Sequence, residues 1–365
     1  MVTDRDLGPC PSRRGASRSA LQSLLIAALA SGWLLSPSPT AAVPIQPGDL
    51  LIADSQAGAD QHGAVIRVDP VTGAQTLVSG GGSFVDPSGI AFGRHGQLLV
   101  TDTNALGGGG ALFAVNPVTG AQTVISSGGA FVDPVGLAVG RGGRVFIADE
   151  NAFGGNGGII RVNPNTGAQR RIASGGYFVD PWGIAIGPRG ALYVADFGFG
   201  GIIRVNPRTG HQHVVASGFP EDGPYGVVVL PNGDLLTTTV HHDGAANTVA
   251  RVIEVNPRTG EKTIIASGSP LFGLYGIGLG LHGEIFLPDA DAFGLLGGVF
   301  ELDPVTGQAR TISSSGILSE PTALAVAPTP EPGTLLLVGT TAAGFGMARW
   351  RQRRRKQEAV AQTEL

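Results

Sequence analysis

Five aspartates close similar pentapeptides: Asp54 in LLIAD, Asp102 in LLVTD, Asp149 in VFIAD, Asp196 in LYVAD and Asp289 in IFLPD. Three more, Asp86, Asp133 and Asp180, each precede a proline. Gathered round a channel, such carboxylates are candidate ligands for Ca²⁺ or another divalent cation, because hard ions take oxygen ligands. An aspartate beside a tight glycine loop has a second use, accepting hydrogen bonds from that loop's backbone amides. Repetition favours the second use, since a reaction centre usually breaks a repeat. Both readings are carried forward.

The breaks in the repeat are therefore informative. In "DLLTTTVHHDGAANTVARV", Thr239 stands where the aspartate recurs elsewhere, and His241-His242-Asp243 follow. These three are candidate catalytic residues that could ligate a metal or exchange protons. Neighbours on a strand point apart, so convergence requires a bend. A solvated polar loop is the alternative. The second break is the residue before the glycine in each "DPxGxA"-like segment. It runs Ser88, Val135, Trp182, Tyr225, Tyr275 and Thr322, the last before Ala323 in place of the glycine. Aromatic faces beside carboxylates suit a sugar ring, so Trp182, Tyr225 and Tyr275 are candidate ligand-binding residues. Plain packing is the alternative. No nucleophile elbow, P-loop or zinc-protease signature occurs.

A repeat must position these residues. Asp69-Pro-Val-Thr-Gly73 recurs with glycines at 120, 167, 210, 260 and 307, a spacing of 43 to 50 residues. That period indicates a propeller or a solenoid. Each unit holds four short apolar or alternating runs separated by turns, the make-up of a propeller blade. Second strands begin near Leu50, Gln97, Arg144, Ala191, Asp234 and Glu284. First strands begin near Ser88, Val135, Trp182, Tyr225, Tyr275 and Thr322. The first unit lacks its own inner strand, and the last has nothing else. The expected fold is all-β: a six-bladed propeller over residues 43–327, its first blade completed by the C-terminal strand. An open β-solenoid would not need that split blade.

Composition agrees. The 365 residues include 59 glycines and 25 prolines, yet hydrophobic residues reach 42 % and charged ones only 14 %. Disordered chains show the opposite balance. The formal net charge is −4. Residues 43–332 hold 14 basic against 24 acidic residues, a net −10. That excludes nucleic acid as the expected partner of the domain as a whole, since phosphates demand a basic surface. Cys10 is the only cysteine, so a chain cleaved beyond it has no disulfide and no thiolate chemistry.

The ends carry addresses. Arg13, Arg14 and Arg18 precede an apolar run, Ala20 to Leu35, and Thr40-Ala41-Ala42 offers a cleavage site. Residues 1–42 thus read as a signal peptide, with an uncleaved anchor as the alternative. Pro328, Pro330 and Pro332 end the fold. Gly333 to Ala348 is uncharged and mostly apolar. Arg349 to Lys356 is a basic stop, and residues 357–365 form a cytoplasmic tail. Residues 328–356, with Pro330-Glu331-Pro332 leading, resemble the PEP-CTERM sorting signal of Gram-negative bacteria. The resemblance implies an inner-membrane precursor held by the C-terminal helix. It also implies processing by an exosortase and release to the surface or an exopolysaccharide matrix. A permanent single-pass anchor is the alternative.

The LLIAD-like and DPSGIA, DPVGLA and DPWGIA segments resemble six-bladed propellers of the NHL and gluconolactonase-like superfamily. The resemblance spans roughly residues 49–327. It implies that relatives with lactonase activity hold a divalent ion with Glu and Asn or Asp in the channel. Glu150 and Asn151 lie just beyond Asp149, without a residue-by-residue match to that pattern. Two functions are expected from these readings. One is an exported, non-enzymatic binding or scaffold module, with exopolysaccharide as candidate partner. The other is a metal-dependent, lactonase-like hydrolase or lyase using the channel.

Overall fold

The computed structural model describes residues 44–58, 60–219, 223–242 and 248–329. The signal-peptide segment, Asp243, the Pro330-Glu331-Pro332 motif and everything after it lie outside these residues. Among the described residues, no helix is long and apolar enough to cross a membrane.

Among the described residues, twenty-four strands form six antiparallel sheets of four. Blade 1 runs, from the channel outward, Pro321–Val326, Leu50–Asp54, Ala64–Val68 and Gln75–Gly80. Ile52 pairs with Leu324 on one side and Ile66 on the other. The last strand among the described residues is therefore the innermost strand of the first blade. Blades 2 to 6 follow in order, with inner strands Pro87–Phe92, Pro134–Gly140, Pro181–Ile186, Pro224–Val229 and Gly278–Leu279.

Burial explains the strand sequences. The two middle strands of a blade lie between neighbouring blades, so both faces are covered. LLIAD and AVIRV are accordingly buried at every position. Outer strands such as QTLVSG are mostly half-buried or exposed instead. The closing junction is packed like the others. Leu50, Ile52 and Ile66 of blade 1 meet Phe286 and Val299 of blade 6.

Inner strands approach closely enough that a side chain would collide. A Cβ on Gly89 would lie 2.3 Å from the Val135 carbonyl oxygen, one on Gly136 2.2 Å from that of Trp182, and one on Gly183 2.2 Å from that of Tyr225. The glycine of each DPxG segment is thus a spacing requirement between blades. The Asn-Pro-x-Thr-Gly turn has a local cause. Asn116 Oδ1 accepts the amides of Val118 (2.8 Å) and Thr119 (3.0 Å). Gly120 then closes the turn at φ +71°. Its carbonyl accepts the Ser79 hydroxyl of the preceding blade at 2.8 Å, as Gly73 accepts Ser313 across the ring closure.

Blade 6 departs from the expected pattern. Its inner strand pairs only at Gly278 and Leu279, rather than from Tyr275. The second strand carries Pro288 where its counterparts have alanine or threonine, and proline offers no amide to the ladder. Blade 5 departs the other way. Leu235–His242 and Thr248–Val255 are eight-residue strands paired through His242↔Thr248.

The spacing requirement is testable. Gly183→Ala should destabilise the protein by about 1–3 kcal/mol, the usual cost of overpacking. Gly109→Ala, at a position with nothing within 4 Å, should stay within about 0.5 kcal/mol. Equal denaturation midpoints for the two variants would refute the close-approach argument.

Candidate functional site at the channel mouth

Loops after second strands and loops before inner strands share one end of the ring, the upper face. The five repeated aspartates sit there and are fully buried. Their oxygens are taken by backbone amides. Asp102 accepts Val85 (2.8 Å), Asp86 (3.0 Å) and Asn104 (3.2 Å). Asp149 accepts Val132 and Asp133, and Asp196 accepts Val179, Asp180 and Phe199. Asp289 accepts Phe272, Gly273 and Asp291. Asp54 holds Ser319 (2.8 Å) and Glu320 (2.9 Å), residues 265 and 266 positions away, and so fastens the ring. Burial raises the pKa of each of these carboxyls, and the amide bonds pull the other way. Among the described residues, no three His, Asp or Glu side chains converge on a metal position. The aspartates present, their oxygens bound to amides, therefore do not fit a channel cation.

In blade 5 the clamp position is Thr239, also fully buried. Here the inner strand is held differently. Thr238 Oγ1 accepts the Gly226 amide, and Thr237 donates to the Gly226 carbonyl at 2.6 Å. His241 and His242 lie in the extended ladder, where successive positions belong to opposite faces of the sheet. The bend that convergence with Asp243 requires does not occur at 241–242.

The inner-strand residues form the channel wall. A cavity of about 90 Å³ is lined by Ser88, Val135, Trp182, Tyr275, Thr322 and the adjoining glycines. That is room for about three waters, not a sugar ring. A larger ligand must sit at the mouth. Trp182 and Tyr275 are half-buried, with centroids 6.1 Å apart and planes 31° from parallel. Tyr225 is 7 % exposed and wedged edge-on against both, at 5.1 Å from each. It sets their planes more than it offers a surface. Phe197 stacks on Tyr225 at 4.9 Å.

Sequence reasoning missed the ring to which Phe197 belongs. The residue after each clamp position is Ser55, Thr103, Glu150, Phe197, Val240 or Ala290. This ring touches the inner-strand ring: Thr103 Oγ1 donates to Ser88 Oγ at 3.0 Å, as Phe197 stacks on Tyr225. Its variability within a constant repeat was the available signal. Glu150 is the acidic member. Burial, with Asp180, Asp133, Asp149 and Asp86 adding repulsion, pushes its pKa up to about 9. Asp180 is pushed up to about 6 by burial, then by Asp196 and Asp133. Asn104 and Asn151 donate to Asp86 (2.9 Å) and Asp133 (2.5 Å). The mouth is thus aromatic on blades 4 to 6 and hydroxylic or acidic on blades 1 to 4.

A second missed set is the glutamine that opens four outer strands. Gln122 donates to Ser79 Oγ and the Gly81 carbonyl and accepts the Ser83 amide, bracketing blade 2 to blade 1. Gln75, Gln169 and Gln212 bridge other junctions in the same way. Lys262 substitutes in blade 5, donating to the Gly218 carbonyl. The signal was a glutamine two residues after the turn glycine.

Two measurements check these assignments. Asp54→Ala removes the acceptor of the half-buried Ser319 and Glu320 amides and of the Gln56 amide, and should cost about 1–3 kcal/mol in all. Asp54→Asn, which keeps one acceptor, should fall between the variant and the parent. A neutral result for Asp54→Ala in denaturant titration would remove the fastening role. Glu150 ionises at about 9 in the fold against an ordinary 4.5, so the folded state binds the extra proton across that window. Its contribution is whole below about 4.5 and is lost as pH rises towards 9. Glu150→Gln should therefore gain thermal stability over the parent progressively through that window, with little difference at acid pH. A pH-independent difference in melting temperature would contradict the burial argument.

Comparison with known proteins agrees with this architecture. A chain of the nidogen/laminin complex matches with a TM-score of 0.60 and 16 % identity, covering 78 % of this chain and 99 % of that one. A putative 6-phosphogluconolactonase from Bacteroides uniformis matches with a TM-score of 0.53 and 14 % identity, covering 76 % and 99 %. At these identities the likeness is one of fold. No curated protein matches. Residues 328–355 match the PEP-CTERM protein-sorting motif, the substrate signal for exosortase processing. The chain is an exported protein with a C-terminal sorting signal on a six-bladed propeller.

Proposed function

We propose that this exported propeller is a non-enzymatic binding module that takes a saccharide, an exopolysaccharide segment in its setting, at the upper channel mouth. The observation that carries the reading is the half-exposed pair Trp182 and Tyr275 at the same end of the ring as the mutually repelling Asp133, Glu150 and Asp180 carboxyls. An aromatic face covers the apolar side of a sugar ring, and oxygen groups opposite bond its hydroxyls. Glu150, kept protonated at neutral pH, can donate as well as accept. The 90 Å³ channel below confines the ligand to the mouth. The amide-bound aspartates support a structural use of the repeat and leave recognition to the residues that vary.

The hydrolase reading rests on the same carboxyl cluster, since a protonated Glu150 is suited to general-acid work. A lactone panel showing turnover that Glu150→Gln abolishes would displace the binding reading.

On soluble exopolysaccharide and a glycan array, Trp182→Ala should weaken binding about tenfold or more, because it removes the exposed aromatic face. Binding by the parent that survives Trp182→Ala unchanged would remove the mouth as the site. In the producing cell, replacing Pro330, Glu331 and Pro332 by alanine should leave an unprocessed chain in the membrane. The parent should lose its C-terminal segment, read by mass spectrometry of the surface form. A surface form still ending at Leu365 would contradict processing.

A further inference from the structure

The acidic upper face has a counterpart at the opposite end of the ring. Between Pro87 and Ser217, spanning blades 2 to 4, the acidic residues are Asp102, Asp133, Asp149, Glu150, Asp180 and Asp196. All end second strands or sit in the upper loops. The lower-face turns of these blades, 93–97, 116–121, 140–144, 163–168, 187–191 and 206–211, contain no acidic residue. Two open clefts lie there. One, of about 360 Å³ between blades 2 and 3, is lined by Arg94, Arg144 and Arg161 with His95, Asn163 and Asn165. The other, of about 380 Å³ in blade 4, is lined by Arg189, Arg204 and Arg208 with His211 and His213.

The repeat shows what is unusual about these arginines. At the position of Arg161, blade 1 has Arg67, whose guanidinium is buried and forked onto Asp49 at 3.0 Å. Blade 6 has Glu301, which faces Arg310 across the ladder and bonds to it. Blade 3 instead sets Arg161 directly opposite Arg170, and blade 4 sets Arg204 opposite His213. The Arg161–Arg170 pair puts like charges in a register that destabilises a sheet, and His213 offers Arg204 no counter-charge. Among the described residues, none of the six cleft arginines has a carboxylate partner. The fold supplies a counter-charge in blades 1 and 6 and withholds it in blades 3 and 4.

We infer that the lower face of blades 2 to 4 is a second binding site, for a carboxylate-bearing polysaccharide chain. Guanidinium forks match carboxylates in geometry and stay charged at any physiological pH. The asparagine and histidine side chains around them suit sugar hydroxyls. Clefts of this volume admit a sugar unit of a chain, where a flat bilayer would not enter. Two clefts on consecutive blades give one polymer two anchors, which multiplies affinity. This site stands on different residues from the channel mouth and does not depend on that reading.

The test uses the full chain, with polygalacturonate as probe and dextran as its neutral match. Polygalacturonate should bind at about 20 mM NaCl and weaken at least about tenfold by 0.5 M, as screening shortens the reach of the charges. Dextran should not bind this face. Arg144→Gln/Arg161→Gln and Arg204→Gln/Arg208→Gln should each lower polygalacturonate affinity about tenfold or more. Arg161→Gln also relieves the like-charge register with Arg170, and the blade 4 pair breaks no ion pair among the described residues, so melting temperature should hold or rise. Arg258→Gln, on the blade 5 turn outside both clefts, should change affinity less than about twofold. Absence of polygalacturonate binding, or Arg258→Gln as damaging as the cleft pairs, would overturn the site. Equal or tighter binding of phosphatidylglycerol vesicles or duplex DNA through the cleft arginines would overturn the choice of polysaccharide.

Discussion

Closure of the ring is the constraint from which the rest follows. A four-stranded blade cannot cover both faces of LLIAD or AVIRV by itself; each needs a neighbour on either side. Five junctions between blades consecutive in sequence leave two open flanks, and only a sixth junction removes them. The chain makes that junction by pairing residues 321–326 with residues 50–54, and Asp54 pins the incoming loop through two amides. The same clamp recurs in blades 2, 3, 4 and 6. A device that closes the ring in one place sets the loop geometry in the others.

Closure also decides where a ligand can go. The inner strands meet over glycine, which draws the ring inward until the channel holds only about 90 Å³. The two proposed sites accordingly lie at the two ends. At the upper end the repeated carboxyls are occupied by backbone amides, so the proposed site draws on positions that the repeat leaves free. Those are the residue before each inner-strand glycine and the residue after each clamp. They place Trp182, Tyr275 and Phe197 on one side and Glu150, Thr103 and Ser88 on the other.

How much of this was legible follows from whether a feature has a local cause. The Asn-Pro-x-Thr-Gly turn and the DPxG segment do, because an Asx acceptor, a positive φ and a close approach each select a residue type. Their recurrence therefore yields blade number and the split first blade from sequence alone. The short inner strand of blade 6 was less legible, although Pro288 marks it once the ladder is known. At His241 and His242 a polar stretch read as a loop, yet the preceding TTTV run and the facing TVARV run both favour strand, and the ladder continues. For the clamps the repeat favoured backbone amides, but their distant partners lay beyond local reasoning. Whether Asp54 faces a cation or an amide depends on residues 319 and 320, which no short-range pattern places beside it.

Charge has been sorted between the two ends of a fold whose repeat is indifferent to charge at those positions. The turn accepts Val118, Asn165, Arg208 or Arg258 at the same place with the same backbone bonds. The third strand accepts arginine, alanine or glutamate at the position of Arg161. Folding therefore does not explain why blades 2 to 4 keep every carboxylate at one end and place six cleft arginines towards the other. A propeller with a net negative charge and unneutralised arginines in clefts gains nothing for its stability from that separation. It gains two chemically opposite surfaces, one aromatic and acidic, the other cationic. The two proposed sites each use one of them.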